Sequence, residues 1–253
     1  MGNLKPFIAG NWKMFKTCNE AVETAKKLVL FSADVTEVDV MIAPPFTSLA
    51  PVSEILKHSD ISLGAQDIFW ESEGAYTGEI SPPMLLSAGC KHVIIGHSER
   101  RQYFNETDQT VNKKISAAVH HHLSPIFCVG ETERQRESKE TFSVLDKQIQ
   151  NGLRGISSDD MKEVIVAYEP VWAIGTGKTA TSEQVQEIHQ FIRSLLERSF
   201  GSVLAKSIRI LYGGSVKPTN VKELMSMKDV NGALVGGASL NPETFSDIIH
   251  NYK

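Results

Sequence analysis

The chain is poor in cysteine, and its three thiols, Cys18, Cys90 and Cys128, are too widely spaced for a disulfide framework or a metal-ligand pattern. They read as reduced thiols, which points to a cytoplasmic protein. No apolar run approaches the roughly 20 residues that a membrane-spanning helix needs. The first residues do not read as a signal peptide, because Lys5 and Pro6 lead into only a short apolar run before Asn11, Lys13 and Lys16. Blocks of like charge are missing and the net charge is -4, which argues against nucleic acid or a membrane surface as the main partner. Pro-, Gly- and Ser-rich linkers are missing too, so nothing divides residues 1–253 and a single domain is expected. With 41% hydrophobic residues, that domain has the material for one large core.

What is present alternates. Short apolar runs at 7–10, 38–43, 61–65, 92–95, 126–129, 164–168, 208–212 and 232–235 read as strands covered on both faces. Between them, segments such as 20–30, 111–123, 137–153, 185–200 and 242–251 carry apolar residues at intervals of three and four, the signature of amphipathic helices. Eight strand-helix units in a chain of 253 residues match the size of a (β/α)8 TIM barrel. A doubly wound sheet would show a glycine-rich dinucleotide turn after its first strand, whereas Asn11, Trp12 and Lys13 stand there.

The run from Val166 to Thr179 is the most unusual stretch. An apolar segment ends in Glu169, Pro170 stops the strand, and a loop follows that carries Val171, Trp172, Ala173 and Ile174 before Gly175 and Gly177. So apolar a loop is expected to close over something, with glycines that let backbone N–H groups approach a ligand. A helix is expected to begin at Ser182 with Glu183 in its first turn. The Gly177-Lys178-Thr179 tripeptide is not a nucleotide-binding P-loop, because that motif needs glycine where Trp172 stands.

In a barrel, residues that follow the strands surround one mouth. Asn11 and Lys13, His97 and Glu99, Glu169, Gly213 to Ser215, and Gly236 with Gly237 all hold such positions. Each has an ordinary reading alone: a solvated lysine, a core histidine, a capping carboxylate, paired turn glycines. Their shared placement is what points to a site.

Several longer stretches are diagnostic: Gly10-Asn11-Trp12-Lys13-Met14, Gly78-Glu79-Ile80-Ser81, Gly96-His97-Ser98-Glu99-Arg100-Arg101, Cys128-Val129-Gly130-Glu131, Tyr168 through Gly177, Tyr212-Gly213-Gly214-Ser215, and Leu234 through Leu240. Over essentially its whole length the chain resembles the triosephosphate isomerase family. The resemblance implies a cofactor-independent and metal-free interconversion of dihydroxyacetone phosphate and glyceraldehyde 3-phosphate through an enediol(ate), a step of glycolysis and gluconeogenesis. It implies Glu169 as the base, with His97, Asn11 and Lys13 as donors to the carbonyl oxygen and Glu99 as the partner of Lys13. The family is itself the standard example of a neutral histidine electrophile. A short helix opening at Ser98 would depress a nearby imidazole pKa in the required direction. Gly175, Ser215, Gly236 and Gly237 match the family's phosphate contacts, and Gly175 sits on a lid of the kind for which this family is the type case.

The long aperiodic loop from Gln66 to Glu79 contains Phe69, Trp70 and Tyr76, and exposed aromatics suggest an interface. In the family this loop reaches a partner subunit beside its Asn11 and Lys13, with Thr77 at the contact, which implies a homodimer. A Schiff-base aldolase using Lys13 and a catalytically dead barrel acting as a scaffold are the rival readings. Retention of Glu169, His97 and Lys13 disfavours the second. The run His120-His121-His122 is expected on a solvated helix end, since consecutive side chains point in different directions and suit a metal poorly.

Overall fold

A computed structural model describes residues 4–175 and 178–252, so Gly177, read above as a ligand-approaching glycine of the lid, lies outside the described residues. The described residues form eight strands: β1 Phe7–Asn11, β2 Asp39–Ala43, β3 Ile61–Ala65, β4 His92–Ile95, β5 Ser124–Val129, β6 Ile165–Tyr168, β7 Ile210–Tyr212 and β8 Gly232–Val235. All neighbours run parallel, and β1 pairs with β8 as well as β2, so the sheet closes on itself. The intervening helices are α1 Cys18–Phe31, α2 Leu49–Leu56, α3 Pro82–Ser87, α4 Ser98–Tyr103, α5 Asp108–His120, α6 Glu133–Glu137, α7 Thr141–Gly152, α8 Ser182–Phe200, α9 Ser202–Ser207 and α10 Val221–Met225; α11 Pro242–His250 follows the last strand.

Alternation along each strand divides the apolar residues into two layers. Phe7, Met41, Ile94, Ile126, Ile165, Leu211 and Leu234 fill the barrel interior. Ile8, Ile42, Val93, Ile95, Phe127, Val166 and Ile210 face outward against the helices. Both faces are dry, which is why these strands read as continuous apolar runs. The helices contribute one stripe each. On α8, Val185, Ile188, Ile192, Leu195 and Leu196 recur at three and four and are buried, each contributing about 1.5–3 kcal/mol by leaving water. Thr181 caps that helix reciprocally with Gln184, and Gly201 at φ 81° ends it.

Two departures from the helices expected from the sequence have a local backbone cause. The segment 137–153 is not one helix: Lys139 takes a left-handed φ of 58°, breaking the chain between α6 and α7. Likewise α5 stops at His120, because His122 turns left-handed at φ 59°. His120 is exposed and ends the helix, as expected, and among the described residues no group of three His, Cys, Asp or Glu is arranged to hold a metal. In the long loop residues 71–79 are exposed, but two of its three aromatics are partly covered. Phe69 stacks on Trp70 at 4.1 Å and lies 4.6 Å from Tyr76, so Phe69 and Trp70 are half-buried and only Tyr76 is exposed.

Candidate active site

A cavity of about 380 Å³ opens at the C-terminal ends of the strands. Asn11, Lys13, His97, Glu169, Gly175, Ser215, Gly236 and Gly237 all border it. Glu99 stands just behind, on the first turn of α4, with its Oε1 2.5 Å from Lys13 Nζ. The barrel thus brings Asn11, Lys13, His97, Glu99, Glu169, Gly175, Ser215, Gly236 and Gly237 to one mouth.

Glu169 leaves β6 through a backbone bond to Val129 carbonyl at 2.8 Å and is almost completely buried. Room for it is made by glycine on either side. A Cβ at Gly130 would fall 1.8 Å from the Glu169 carbonyl oxygen, and one at Gly213 would fall 2.9 Å from its Cγ. Three donors hold the carboxylate: Ser98 N–H at 2.9 Å, Ser98 hydroxyl at 3.2 Å and His97 Nε2 at 3.0 Å. Burial pushes the Glu169 pKa up, but His97 and the two Ser98 donors outweigh it and the net shift is downward.

His97 caps α4, and its Nδ1 accepts the Glu99 N–H at 3.2 Å. Burial draws the His97 pKa down, while the Glu169 carboxylate, and less strongly Glu99, raise it further than burial lowers it. A doubly protonated ring has no lone pair to accept the Glu99 N–H, so that contact opposes the upward shift and defines the neutral tautomer with its proton on Nε2. The direction of the shift therefore belongs to the pair: while Glu169 is adjacent, the ring is more basic than burial alone would leave it.

Lys13 occupies a left-handed conformation at φ 51°, unusual outside glycine. Its N–H donates to Asn11 Oδ1 at 3.0 Å, and Gln66 Nε2 donates to its carbonyl at 2.8 Å and to Ala43 carbonyl at 2.9 Å. Gln66 therefore braces the turn that aims the ammonium into the cavity. From the sequence, Gln66 stands only as the start of a loop, and Ser98 as part of a motif and the opening of a short helix. No local pattern reveals Gln66, whose partner lies 53 positions away; the helix-opening place of Ser98 beside His97 was the available hint for the other.

After Pro170 the lid begins as a single 3-10 turn over Val171–Ala173, in which Ala173 is buried. Trp172 Nε1 donates to Glu131 at 2.9 Å, and Glu131, itself fully buried, also accepts from Tyr168 hydroxyl at 3.1 Å. The Arg136 guanidinium lies 4.2 Å from the Trp172 ring and 3.3 Å from Glu131. Gly175 follows at φ 70° with open space around it.

A closed (β/α)8 barrel whose polar side chains converge at the C-terminal mouth defines a barrel enzyme. A model of the family described as triosephosphate isomerase matches residues 6–252. Relatives named triosephosphate isomerase include those of Geotalea uraniireducens, 57% identical over 97% of this chain and 98% of the relative, and Geobacter metallireducens, 56% identical over 98% of each. A crystal structure of triosephosphate isomerase from Bartonella henselae superposes with a TM-score of 0.89 at 42% identity, covering 98% of this chain and 99% of that one. The chain belongs to the triosephosphate isomerase family.

Proposed function

We propose that Glu169, His97, Lys13 and Asn11 carry the chemistry that family membership assigns to this chain, the interconversion of dihydroxyacetone phosphate and D-glyceraldehyde 3-phosphate in glycolysis and gluconeogenesis. The observation that carries the assignment is the facing pair at the cavity wall, a buried carboxylate 3.0 Å from an imidazole Nε2 whose other nitrogen is committed to a helix N–H. Glu169 removes a proton from the carbon beside the substrate carbonyl and returns it to the neighbouring carbon. His97 Nε2–H, Lys13 ammonium and Asn11 amide stabilise the negative charge that develops on the oxygen.

The same contacts supply a switch in strength. Held by Ser98 and His97, Glu169 is a weak base. Moving onto substrate breaks its Ser98 bonds, leaving burial to raise its basicity, and it deprives His97 of the anion that kept its pKa up. A stronger base and a neutral electrophile arise from one displacement. Lys13 keeps its orientation through Glu99. Gly175, Ser215, Gly236 and Gly237 receive the phosphate with backbone N–H groups, and the apolar residues 171–174 exclude water when the lid closes. A Lys13 Schiff base is disfavoured because its ammonium is engaged by a carboxylate at 2.5 Å.

The chain works as a single domain and as a homodimer in this reading. Met14 is 94% exposed, Phe15, Tyr76, Tyr103 at the end of α4 and Phe104 add exposed apolar surface, and Thr77 is exposed as well. Free Cys18, Cys90 and Cys128 support a cytoplasmic setting, and among the described residues no helix is long and apolar enough to cross a membrane. The test of the catalytic assignment is turnover of glyceraldehyde 3-phosphate by the wild type and Glu169→Asp. Withdrawing the carboxylate by one methylene is expected to lower kcat by about 10²-fold or more, and near-wild-type turnover would overturn the assignment.

A further inference from the structure

The substrate is a dianion and the chain carries a net charge of -4, so long-range attraction cannot come from the molecule as a whole. It has to come from the mouth of the site. Among the described residues two ammonium groups border the cavity, those of Lys13 and Lys217. They differ in kind. Lys13 is half-buried and its charge is balanced by Glu99 at 2.5 Å, with the Glu169 carboxylate on the same cavity wall. Lys217 is exposed and makes no ion pair among the described residues.

Its backbone, by contrast, is held firmly. Asn220 Oδ1 accepts the Lys217 N–H at 2.8 Å, while Asn220 Nδ2 donates to Ser215 carbonyl at 3.0 Å. One amide thereby bridges both ends of the segment Ser215–Lys217, which lines the cavity that Gly236 and Gly237 also border. A braced backbone carries an unneutralised ammonium on a flexible stem beside the phosphate seat. The arrangement suits attraction of an anion at a distance, since an exposed side chain adds charge without the desolvation that burying a second lysine would cost.

We propose that Lys217 is a cationic recognition residue for the phosphate group, drawing the dianionic substrate into the mouth and favouring phosphorylated over uncharged trioses. The inference rests on the phosphate seat assigned above. Four proteins test it: wild type, Lys217→Met, Lys217→Arg and, as a net-charge control, Lys206→Met, whose exposed lysine lies on α9 before β7 and hence at the opposite end of the barrel. For each, kcat/KM on glyceraldehyde 3-phosphate is followed between about 10 mM and about 100 mM ionic strength, where the Debye length falls from about 30 Å to about 10 Å. Competitive inhibition by inorganic phosphate and kcat/KM on unphosphorylated glyceraldehyde are measured alongside.

Lys217→Met is expected to lose roughly tenfold in kcat/KM at low salt, to flatten the salt dependence and to weaken phosphate inhibition in parallel, with no change on glyceraldehyde. Lys217→Arg restores most of each quantity, and Lys206→Met matches the wild type. Equal salt slopes and phosphate inhibition in Lys217→Met and wild type overturn the inference while leaving the phosphate seat intact. An equal loss on glyceraldehyde overturns it in favour of a structural role. Failure of inorganic phosphate to compete in the wild type overturns the seat and this inference with it.

Discussion

Ser98 contributes two of the three donors that hold Glu169, one from its backbone and one from its hydroxyl. Ser98→Ala removes only the hydroxyl. The free-enzyme carboxylate then loses a bond that favours its charged form, so its pKa rises and the acidic limb of the kcat/KM profile moves to higher pH, by up to about one unit. An unmoved limb would show that the backbone N–H and His97 suffice. His97→Gln keeps a polar group but not the imidazole Nε2–H, and kcat is expected to fall about 10²- to 10³-fold with KM less affected. Glu169, His97 and Lys13 were legible as candidates because each closely follows an apolar run, and strand ends share one mouth in a barrel; their roles came from the family resemblance. Ser98 and Gln66 were not legible as supports. Their hydrogen bonds to Glu169 and to the carbonyl of Lys13 span 71 and 53 positions, and such pairings exist only once the sheet has closed.

At the scale of elements, the lid's first turn is fastened by the indole N–H of Trp172 on Glu131, a carboxylate with no exposure to water. Trp172→Phe keeps an aromatic face for Arg136 and drops that bond. The variant is expected to lose about 1–2 kcal/mol of stability, seen as a fall in Tm of roughly 2–8 °C. Gly175→Ala places a side chain at φ 70° where the backbone is to meet phosphate; a rise in KM by several-fold, read from initial rates, is the expected result. Strand positions were the most readable elements, since burial on both faces leaves an unbroken apolar run. Helix ends were less so. The left-handed turn at Lys139 uses a residue with no special preference for that conformation, and His122, of a type more tolerant of it, is one of three consecutive histidines, so residue type alone does not single it out. The long loop teaches the same lesson: its aromatics stack on one another, and Lys113 lies 4.9 Å from the Trp70 ring, contacts that hydropathy alone does not encode.

For the whole molecule, His92 and His189 matter although neither touches the site. Burial first, and neighbouring cations after it, lower both pKa values to about 4, well below an unfolded value of about 6.5. The unfolded chain therefore binds more protons than the native one between those limits. Each histidine's contribution is intact above about pH 6.5 and is lost as pH falls toward 4, by roughly 3 kcal/mol each. Urea midpoints are expected to drop steeply between pH 7 and pH 4.5, and His189→Gln, which keeps a donor for the Asp229 carbonyl that now bonds Nδ1 at 3.1 Å, is expected to flatten that decline.

The closure of β1 onto β8 carries one more consequence, for how copies of this chain can meet. An open sheet ends in a strand whose unpaired N–H and C=O groups can template another chain. Here every strand already has a partner on both sides, so association by adding strands is barred while the barrel stays folded. Any stable assembly must be built from side chains and loops, with geometry specific to those residues. Aggregation through strand pairing must in turn wait until the ring has been opened.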